Sequence, residues 1–214
     1  MAQNPRIQID TLPVGPLQAN CYIIKDDLQK AAIIIDPGAE SERILAALGD
    51  RKTQCILLTH AHYDHIGALE AVRQATGAPV FIHPAEADWL TNPALNGSLG
   101  PWSWGEPIRC APADESLSHG QKIPFVDMEL VVAHTPGHSP GGVSFIGPGF
   151  AFSGDALFRG SIGRTDLPFG DSERLLESIR LHLLSLPDDT VVLPGHGPAT
   201  TVGEERAHNP FLAP

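Results

Sequence analysis

Apolar and polar residues alternate along this chain in short segments that predict an α/β fold. Short apolar runs bounded by Gly, Pro, Asp or Asn predict strands. They occupy 6–10, 21–25, 31–35, 54–59, 79–82, 128–133, 143–146, 150–153 and 190–193. Apolar residues three or four positions apart predict three helices: one from Ser41 to a stop at Gly49, one over about 65–76, and one from about Ser172 to Leu184.

Length and composition predict one domain over residues 1–214. There is no linker, charge block or low-complexity tract, and no run of about 18 apolar residues, so we expect no membrane partner. The segment Met1–Arg6 lacks the apolar core of a secretory signal. The three cysteines, Cys21, Cys55 and Cys110, are scattered and odd in number, as is typical of reduced thiols. These features predict a cytoplasmic protein.

The charge of the chain argues against a nucleic-acid partner. Its formal net charge is −11, and its 14 lysines and arginines form no cluster. Proteins that bind nucleic acid normally carry a basic stripe. The composition therefore favours a small-molecule substrate.

The segment His60–His65 places three imidazoles and one carboxylate directly after an apolar run. Residues two apart in an extended segment point the same way, so His60 and His62 can bind one cation. The turn that follows can bring Asp64 and His65 to a second cation. Asp64 could instead be the N-cap of the second predicted helix, but a cap does not account for three neighbouring histidines. Metal binding is the first hypothesis for this segment.

Three more candidate ligand segments follow apolar runs later in the chain. His134–His138 follows the run 128–133, Asp155 follows 150–153, and His196 follows 190–193. One histidine or aspartate in a loop is usually solvated. Four such junctions between a strand and a ligand form a specific pattern.

The order of these motifs resembles that of the metallo-β-lactamase superfamily. The segments 134–138, 154–158, Gly163-Arg164 and 194–197 resemble its glyoxalase II-like branch, and the tail 203–211 resembles the short bacterial hydroxyacylglutathione hydrolases. The resemblance implies an αββα four-layer sandwich, with two sheets face to face, helices outside and metals at one edge.

The resemblance also implies two divalent metals, with zinc expected and iron or manganese as alternatives. It assigns His60, His62 and His138 to the first metal, Asp64, His65 and His196 to the second, and Asp155 to both. The implied reaction is hydrolysis of a glutathione thioester such as S-D-lactoylglutathione to a hydroxy acid and glutathione, through attack of a bridging hydroxide on the thioester carbonyl. As the catalytic residue, Asp64 would accept the hydrogen bond of the hydroxide and direct it. By formal charge the centre would carry about +1 and would attract anions.

Arg164 is the candidate substrate-binding residue. It takes the place of a lysine that binds a glutathione carboxylate in the family. The alternative is that Arg164 pairs with Asp166 or Asp171 and only stiffens its turn. Asp166 and Pro198 replace aromatic residues of the longer enzymes, so thioester hydrolysis is better supported than tight glutathione binding.

Other functions of the superfamily remain open. A persulfide dioxygenase shares the segment 163–166 but uses one iron held by two histidines and an aspartate. A lactonase or β-lactamase would use a similar hydroxide attack. A di-iron redox scaffold ranks lower, because such scaffolds have an acidic residue where this chain has His62. Trp102 and Trp104 either pack on the surface or cover a pocket.

Overall fold

The computed structural model describes residues 7–100, 103 and 105–212. These form two compact units, one up to Leu117 and one from Ser118 onward. Each unit contains one six-stranded sheet.

The sheet of the first unit has the strand order β1-β2-β3-β4-β5-β6. Its strands are β1 (Ile7–Val14), β2 (Ala19–Asp26), β3 (Ala31–Ile35), β4 (Lys52–Leu57), β5 (Val80–Ile82) and β6 (Glu115–Ser116). The first three are antiparallel neighbours, whereas β3 to β6 run parallel. The carboxyl ends of β3, β4 and β5 therefore lie at one edge, where loops can present side chains together.

Helices of the first unit cover one face of this sheet. They are α1 (Ser41–Leu48), α2 (Tyr63–Ile66), α3 (Leu69–Thr76) and a 3₁₀ helix (Pro84–Trp89). Ile44 of α1 and Val72 of α3 belong to one core with Ile23, Ile34 and Ile56. Residues of the opposite face of these strands are also buried, namely Ile24, Ile33, Ile35 and Leu57. Strands covered on both faces explain the continuous apolar runs of the sequence.

The helix predicted over 65–76 is wrong as one continuous element. It is divided between α2 and α3, because the N–H of Ala68 donates to the carbonyl oxygen of Pro37 at 2.9 Å instead of extending the helical hydrogen bonds. A Cβ at Gly67 would lie 2.3 Å from the carbonyl oxygen of Gly38. This close approach of two loops breaks the helix.

The second unit contains the sheet order β14-β13-β10-β9-β8-β7 and a separate pair, β11-β12. The strands are β7 (Lys122–Phe125), β8 (Met128–His134), β9 (Val143–Gly147), β10 (Phe150–Gly154), β11 (Leu157–Phe158), β12 (Ser161–Ile162), β13 (Val191–Pro194) and β14 (Thr200–Thr201). The central strands β10 and β13 are parallel, so Asp155 and His196 follow neighbouring strand ends. The other pairs of this sheet are antiparallel.

The helices of the second unit are α4 (Ser172–Ser178), a π-helix (Ile179–Leu183) and α5 (Val202–His208). Leu175, Ile179 and Leu183 form the predicted apolar stripe and pack in one core with Ala151 and Val192. The third predicted helix is confirmed in position, although its second half is a π-helix.

All nine predicted strands are present, with ends shifted by at most two residues except that β1, predicted over 6–10, extends to Val14. The short strands β6, β11, β12 and β14, the strand β7 and the helix α5 were not predicted. Among the described residues, no helix is both long enough and apolar enough to cross a membrane.

Candidate metal centre

Three histidines converge after strand β4 in the first unit. The ring centroids of His60 and His62 are 4.9 Å apart, and those of His60 and His65 are 4.2 Å apart. His60 and His65 are almost completely buried. Rings this close and this buried repel one another when protonated, and neutral imidazoles can donate lone pairs to a cation.

Asp36 supports this histidine group through hydrogen bonds to Thr59 and His65. It is buried at the end of β3, and its Oδ1 accepts the N–H of Thr59 at 2.7 Å. Its Oδ2 accepts the hydroxyl of Thr59 at 2.5 Å and Nδ1–H of His65 at 3.0 Å. Together with His60 and His65 it forms one group with ligand atoms within 4.8 Å of one another. Asp36 was not among the predicted site residues, although it follows the apolar run 31–35 just as the predicted ligands follow theirs.

The hydrogen bonds of Asp36 also fix which ring nitrogens carry a proton. Nδ1 of His60 lies 3.0 Å from Oγ1 of Thr59. Because that hydroxyl gives its hydrogen to Asp36, it accepts the Nδ1–H of His60. His60 and His65 therefore both carry their proton on Nδ1 and leave the Nε2 lone pair for a metal, as is usual for histidine ligands.

The second unit brings together the other predicted ligands. His138 follows β8, Asp155 follows β10 and His196 follows β13. Oδ2 of Asp155 lies 3.5 Å from Nε2 of His138 and 3.6 Å from Nε2 of His196. These distances are too long for good hydrogen bonds, so both imidazoles face one carboxylate oxygen without binding it directly.

The main chain around residue 164 supports His138. Nδ1 of His138 donates to the carbonyl oxygen of Arg164 at 2.8 Å, which leaves its Nε2 lone pair facing Asp155. Gly163 makes this approach possible, because a Cβ there would lie 1.8 Å from the carbonyl oxygen of Asp155 and 3.2 Å from Cβ of His138. The Gly163-Arg164 motif thus has a structural role at the main chain.

The donor set in each unit fits a divalent cation. Two atoms bound to one zinc ion at roughly 2.0–2.2 Å with tetrahedral angles lie about 3.4 Å apart. The two distances at Asp155 are close to this value, and Nε2 of His65 lies 3.7 Å from Oδ2 of Asp64. Zinc and iron bind imidazole nitrogen and carboxylate oxygen, and a histidine whose proton is fixed on Nδ1 presents Nε2 to the metal. The assignment of these residues to two particular metals stays a prediction.

Asp64 does not cap helix α2, so that alternative is wrong. The helix begins at Tyr63, its N-cap is His62, and Asp64 lies inside its first turn. The side chain of Asp64 is 14% exposed and its Oδ2 is directed toward His65. This placement agrees with a ligand or proton acceptor.

The side chain of Arg164 binds Asp166. Its Nε and Nη2 donate to the two carboxylate oxygens at 2.7 Å and 2.8 Å. This pair lowers the pKa of Asp166 to about 2, chiefly through the hydrogen bonds from the guanidinium. The pairing with Asp166 considered as an alternative is therefore present, while the guanidinium remains 55% exposed. Trp102 and Trp104 lie outside the described residues.

His134 and two other histidines lie together in the second unit. Nε2 of His134 lies 3.0 Å from the carbonyl oxygen of Pro140, and its main-chain N–H donates to Nδ1 of His119 at 3.3 Å. The ring centroids of His119 and His182 are 4.9 Å apart. Burial lowers the pKa of both His134 and His182. His134 thus belongs to a separate histidine cluster.

Comparison with known proteins identifies related chains. The family model described as "Metallo-beta-lactamase superfamily" matches residues 14–196. A probable metallo-hydrolase of Bacillus subtilis, YqgX, is 44% identical over 205 residues, covering 94% of this chain and 95% of the relative. The hydroxyacylglutathione hydrolase GloC of Haemophilus influenzae is 38% identical over 221 residues, covering 96% and 98%.

Two solved structures have a similar fold. The B3 metallo-beta-lactamase BLEG-1 has a TM-score of 0.91 and 45% identity, with 97% of this chain and 100% of that chain covered. TTHA1623 in a di-iron-bound form has a TM-score of 0.82 and 40% identity, covering 95% and 100%. These likenesses confirm the α/β fold class implied by the sequence motifs.

Proposed function

Because the chain belongs to the metallo-β-lactamase superfamily, we propose that it is a metal-dependent hydrolase of glutathione thioesters of hydroxy acids. The observation that carries the proposal is the approach of His138 and His196 to Asp155, with the two Nε2 atoms 3.5 Å and 3.6 Å from the same carboxylate oxygen. A carboxylate oxygen in this position can bind two cations at once. The relative named hydroxyacylglutathione hydrolase supports the choice of substrate.

The proposed centre would hold two divalent metals. His60, His62 and His138 would bind the first metal, Asp64, His65 and His196 would bind the second, and Asp155 would bind both. Zinc is the expected ion, and iron is the alternative favoured by the di-iron-bound relative. When bound, such metals acidify a water molecule and polarise a carbonyl oxygen.

The protein's own groups orient the reactants. The carboxylate of Asp64 accepts the hydrogen bond of the attacking water and fixes its direction toward the thioester carbonyl. Asp36, Thr59 and the carbonyl of Arg164 keep the histidine rings in one tautomer. The thiolate of glutathione departs near neutral pH without a strong general acid, so no further acidic residue is needed. We propose a small-molecule substrate, a cytoplasmic location and no nucleic-acid partner.

The experiment that tests this function compares four substrates. The values of kcat/KM are measured for S-D-lactoylglutathione, a homoserine lactone, a cephalosporin, and glutathione persulfide with oxygen. Metal content is determined by elemental analysis on protein purified without added metal. We expect the thioester to give the highest value and the protein to hold two metals. Oxygen uptake faster than thioester cleavage, together with a single iron, would establish a persulfide dioxygenase instead.

A second candidate is hydrolysis of β-lactams, which the 45% identity to BLEG-1 favours. It uses the same proposed metal ligands and differs only in the groups that bind the substrate. The cephalosporin assay separates the two activities. A higher kcat/KM for the cephalosporin than for the thioester would replace the proposed function with this one.

A further inference from the structure

A buried glutamate, Glu86, accepts a hydrogen bond from the segment His60–His65. The 3₁₀ helix Pro84–Trp89 follows β5, and Nδ1 of His83 accepts the N–H of Ala85 at its start. Glu86 in this helix is fully buried. Its Oε2 accepts the N–H of Ala61 at 2.6 Å. A buried carboxylate is costly unless strong hydrogen bonds or nearby cations compensate for its desolvation.

The hydrogen bond between Ala61 and Glu86 lies within the predicted metal-binding segment His60–His65. Ala61 lies between His60 and His62, and its side chain is buried in the core of the first unit. Fixing the peptide N–H of Ala61 fixes the plane of the bond between His60 and Ala61. This plane sets the direction in which the Cα–Cβ bond of His60 leaves the main chain, and Ala61 leads directly into His62. Glu86 therefore fixes the main chain from which the two imidazoles extend.

The segment that carries Glu86 contacts the next two residues as well. The ring centroids of Trp89 and His62 are 5.5 Å apart. The carbonyl oxygen of Asn96 accepts the N–H of Tyr63 at 2.9 Å. The buried amide of Asn96 in turn donates to the carbonyl oxygens of Trp89 and Ile108, each at 3.0 Å. Residues 61, 62 and 63 are thus each held by the segment 84–96.

We propose that Glu86 is a positioning residue of the metal centre. Its hydrogen bond to Ala61 preorganises His60 and His62 for one cation, and its negative charge stabilises that cation through a buried, weakly screened interaction. The inference rests on the proposed function only in that the centre binds metal, and it does not depend on the substrate. A purely structural role would require the hydrogen bond but no effect of the charge on the metal.

The test uses two variants of the full-length protein and a matched control. Glu86→Gln keeps the size and an oxygen acceptor for the N–H of Ala61 but removes the charge, whereas Glu86→Asp keeps the charge on a shorter side chain. The control is Asp26→Asn. Asp26 is also fully buried and its Oδ1 accepts the N–H of Gln29 at 2.6 Å. It lies at the other end of the same sheet, because its register partner Ala31 begins β3.

Three quantities are measured for each variant: the Kd for zinc by competition with a chelator, the visible absorption spectrum of the cobalt-substituted protein, and kcat and KM for S-D-lactoylglutathione. For Glu86→Gln we expect the zinc Kd to rise roughly 10- to 100-fold, the cobalt spectrum to change and kcat to fall while KM changes little. Glu86→Asp should recover part of the affinity. Asp26→Asn should leave the Kd and the spectrum as in the wild-type protein.

Two outcomes would overturn the proposal. One is a Glu86→Gln protein with wild-type zinc Kd and cobalt spectrum, even if its stability is lower. The other is an equal rise of the zinc Kd in Glu86→Gln and Asp26→Asn, which would show a general effect of lost stability. If Glu86→Gln does not fold, the same comparison is made with Glu86→Asp, for which a wild-type Kd and spectrum would likewise reject a positioning role. Failure of thioester hydrolysis in the wild-type protein would reject the proposed function alone, because the Kd and the spectrum are measured without substrate.

Discussion

The carbonyl oxygen of Arg164 accepts the Nδ1–H of His138 at 2.8 Å, so the main chain and the side chain of Arg164 serve different partners. The carbonyl fixes the tautomer of a predicted metal ligand, while the guanidinium binds Asp166. The same kind of support occurs at His65, whose Nδ1–H donates to Asp36. Histidines whose Nδ1 atoms are held in this way present Nε2 to a metal without having to reorient.

The first prediction concerns Asp36. Asparagine at this position keeps the size of the side chain but replaces one of its two acceptor oxygens by an NH2 group, so it cannot accept the N–H of Thr59, the hydroxyl of Thr59 and Nδ1–H of His65 together. We expect Asp36→Asn to raise the Kd for zinc roughly 10- to 100-fold. The loss of a buried hydrogen bond to a charged group should also lower the free energy of unfolding by about 1.5–3 kcal/mol.

Chelator competition and urea unfolding of the metal-free protein measure the two effects. Asp26→Asn is a suitable control, since it alters another buried carboxylate of the first unit. Equal zinc affinity in the wild-type and Asp36→Asn proteins would show that Asp36 does not orient the histidines.

The second prediction concerns Asp155, which we propose to bind both metals. Asp155→Asn removes the charge and one shared oxygen, so we expect metal content to fall and thioester hydrolysis to decrease by several orders of magnitude. Elemental analysis and kcat measurements check this result. Asp166→Asn is the control for a lost carboxylate in the same unit, because the side chain of Asp166 is exposed and pairs with Arg164. A fully active Asp155→Asn protein with normal zinc content would exclude the dinuclear arrangement.

A third prediction follows from the cluster of His119, His134 and His182. Burial is the main cause that lowers the pKa of His134 and His182 in the folded protein, and neighbouring histidines lower both further. For His134, Arg174 also lowers the pKa, whereas the hydrogen bond to Pro140 opposes the shift. The unfolded chain, with histidine pKa values of about 6.5, therefore binds protons at a higher pH than the folded protein. Stability should be highest above about pH 7 and should fall as the pH decreases through about 6.5.

This pH dependence can be assigned to the cluster by substitution. His182→Gln removes one of the shifted groups, and the slope of the unfolding free energy between about pH 7 and 5.5 should become smaller. His208→Gln replaces an exposed histidine of α5 and serves as control. Comparing the variants cancels the contribution of the metal ligands, which is common to all of them. The same slope in the His182→Gln and wild-type proteins would contradict the prediction.

The sequence predicted the strands well because the longer ones are apolar runs with clear boundaries. The prediction for β3 agrees with the observed Ala31–Ile35 at both ends. The short strands β11, β12 and β14 have two residues each, which is too few for a periodic pattern. The break between α2 and α3 could not be predicted, because it depends on contact of Gly67 and Ala68 with the distant residues Pro37 and Gly38.

The sequence revealed the proposed ligands of the candidate site but not the residues that support those ligands. The proposed ligands form motifs of closely spaced histidines and aspartates, which a sequence reveals directly. Asp36 and Glu86 support those ligands through hydrogen bonds to Thr59 and Ala61, which are 23 and 25 positions away. A partner at this separation depends on which strands are neighbours, and the sequence pattern alone does not define that.

The last prediction concerns the side chain of Arg164 as an anchor for a carboxylate of glutathione. In the structure its guanidinium binds Asp166 through two hydrogen bonds, so a substrate carboxylate must compete with Asp166. If Arg164 is an anchor, Asp166→Asn should lower KM for S-D-lactoylglutathione, because it removes the competing charge. Arg164→Ala should raise KM roughly tenfold or more, since a hydrogen bond between two charged groups contributes about 1.5–3 kcal/mol.

Both variants should keep the wild-type kcat and metal content, because His138 binds the main-chain oxygen of residue 164 and not its side chain. A thioester without the glutathione carboxylates should be hydrolysed equally by all three proteins. If the pair only stiffens the turn, the two substitutions should instead lower the melting temperature to a similar extent and leave KM unchanged, and the groups that bind glutathione must then lie elsewhere.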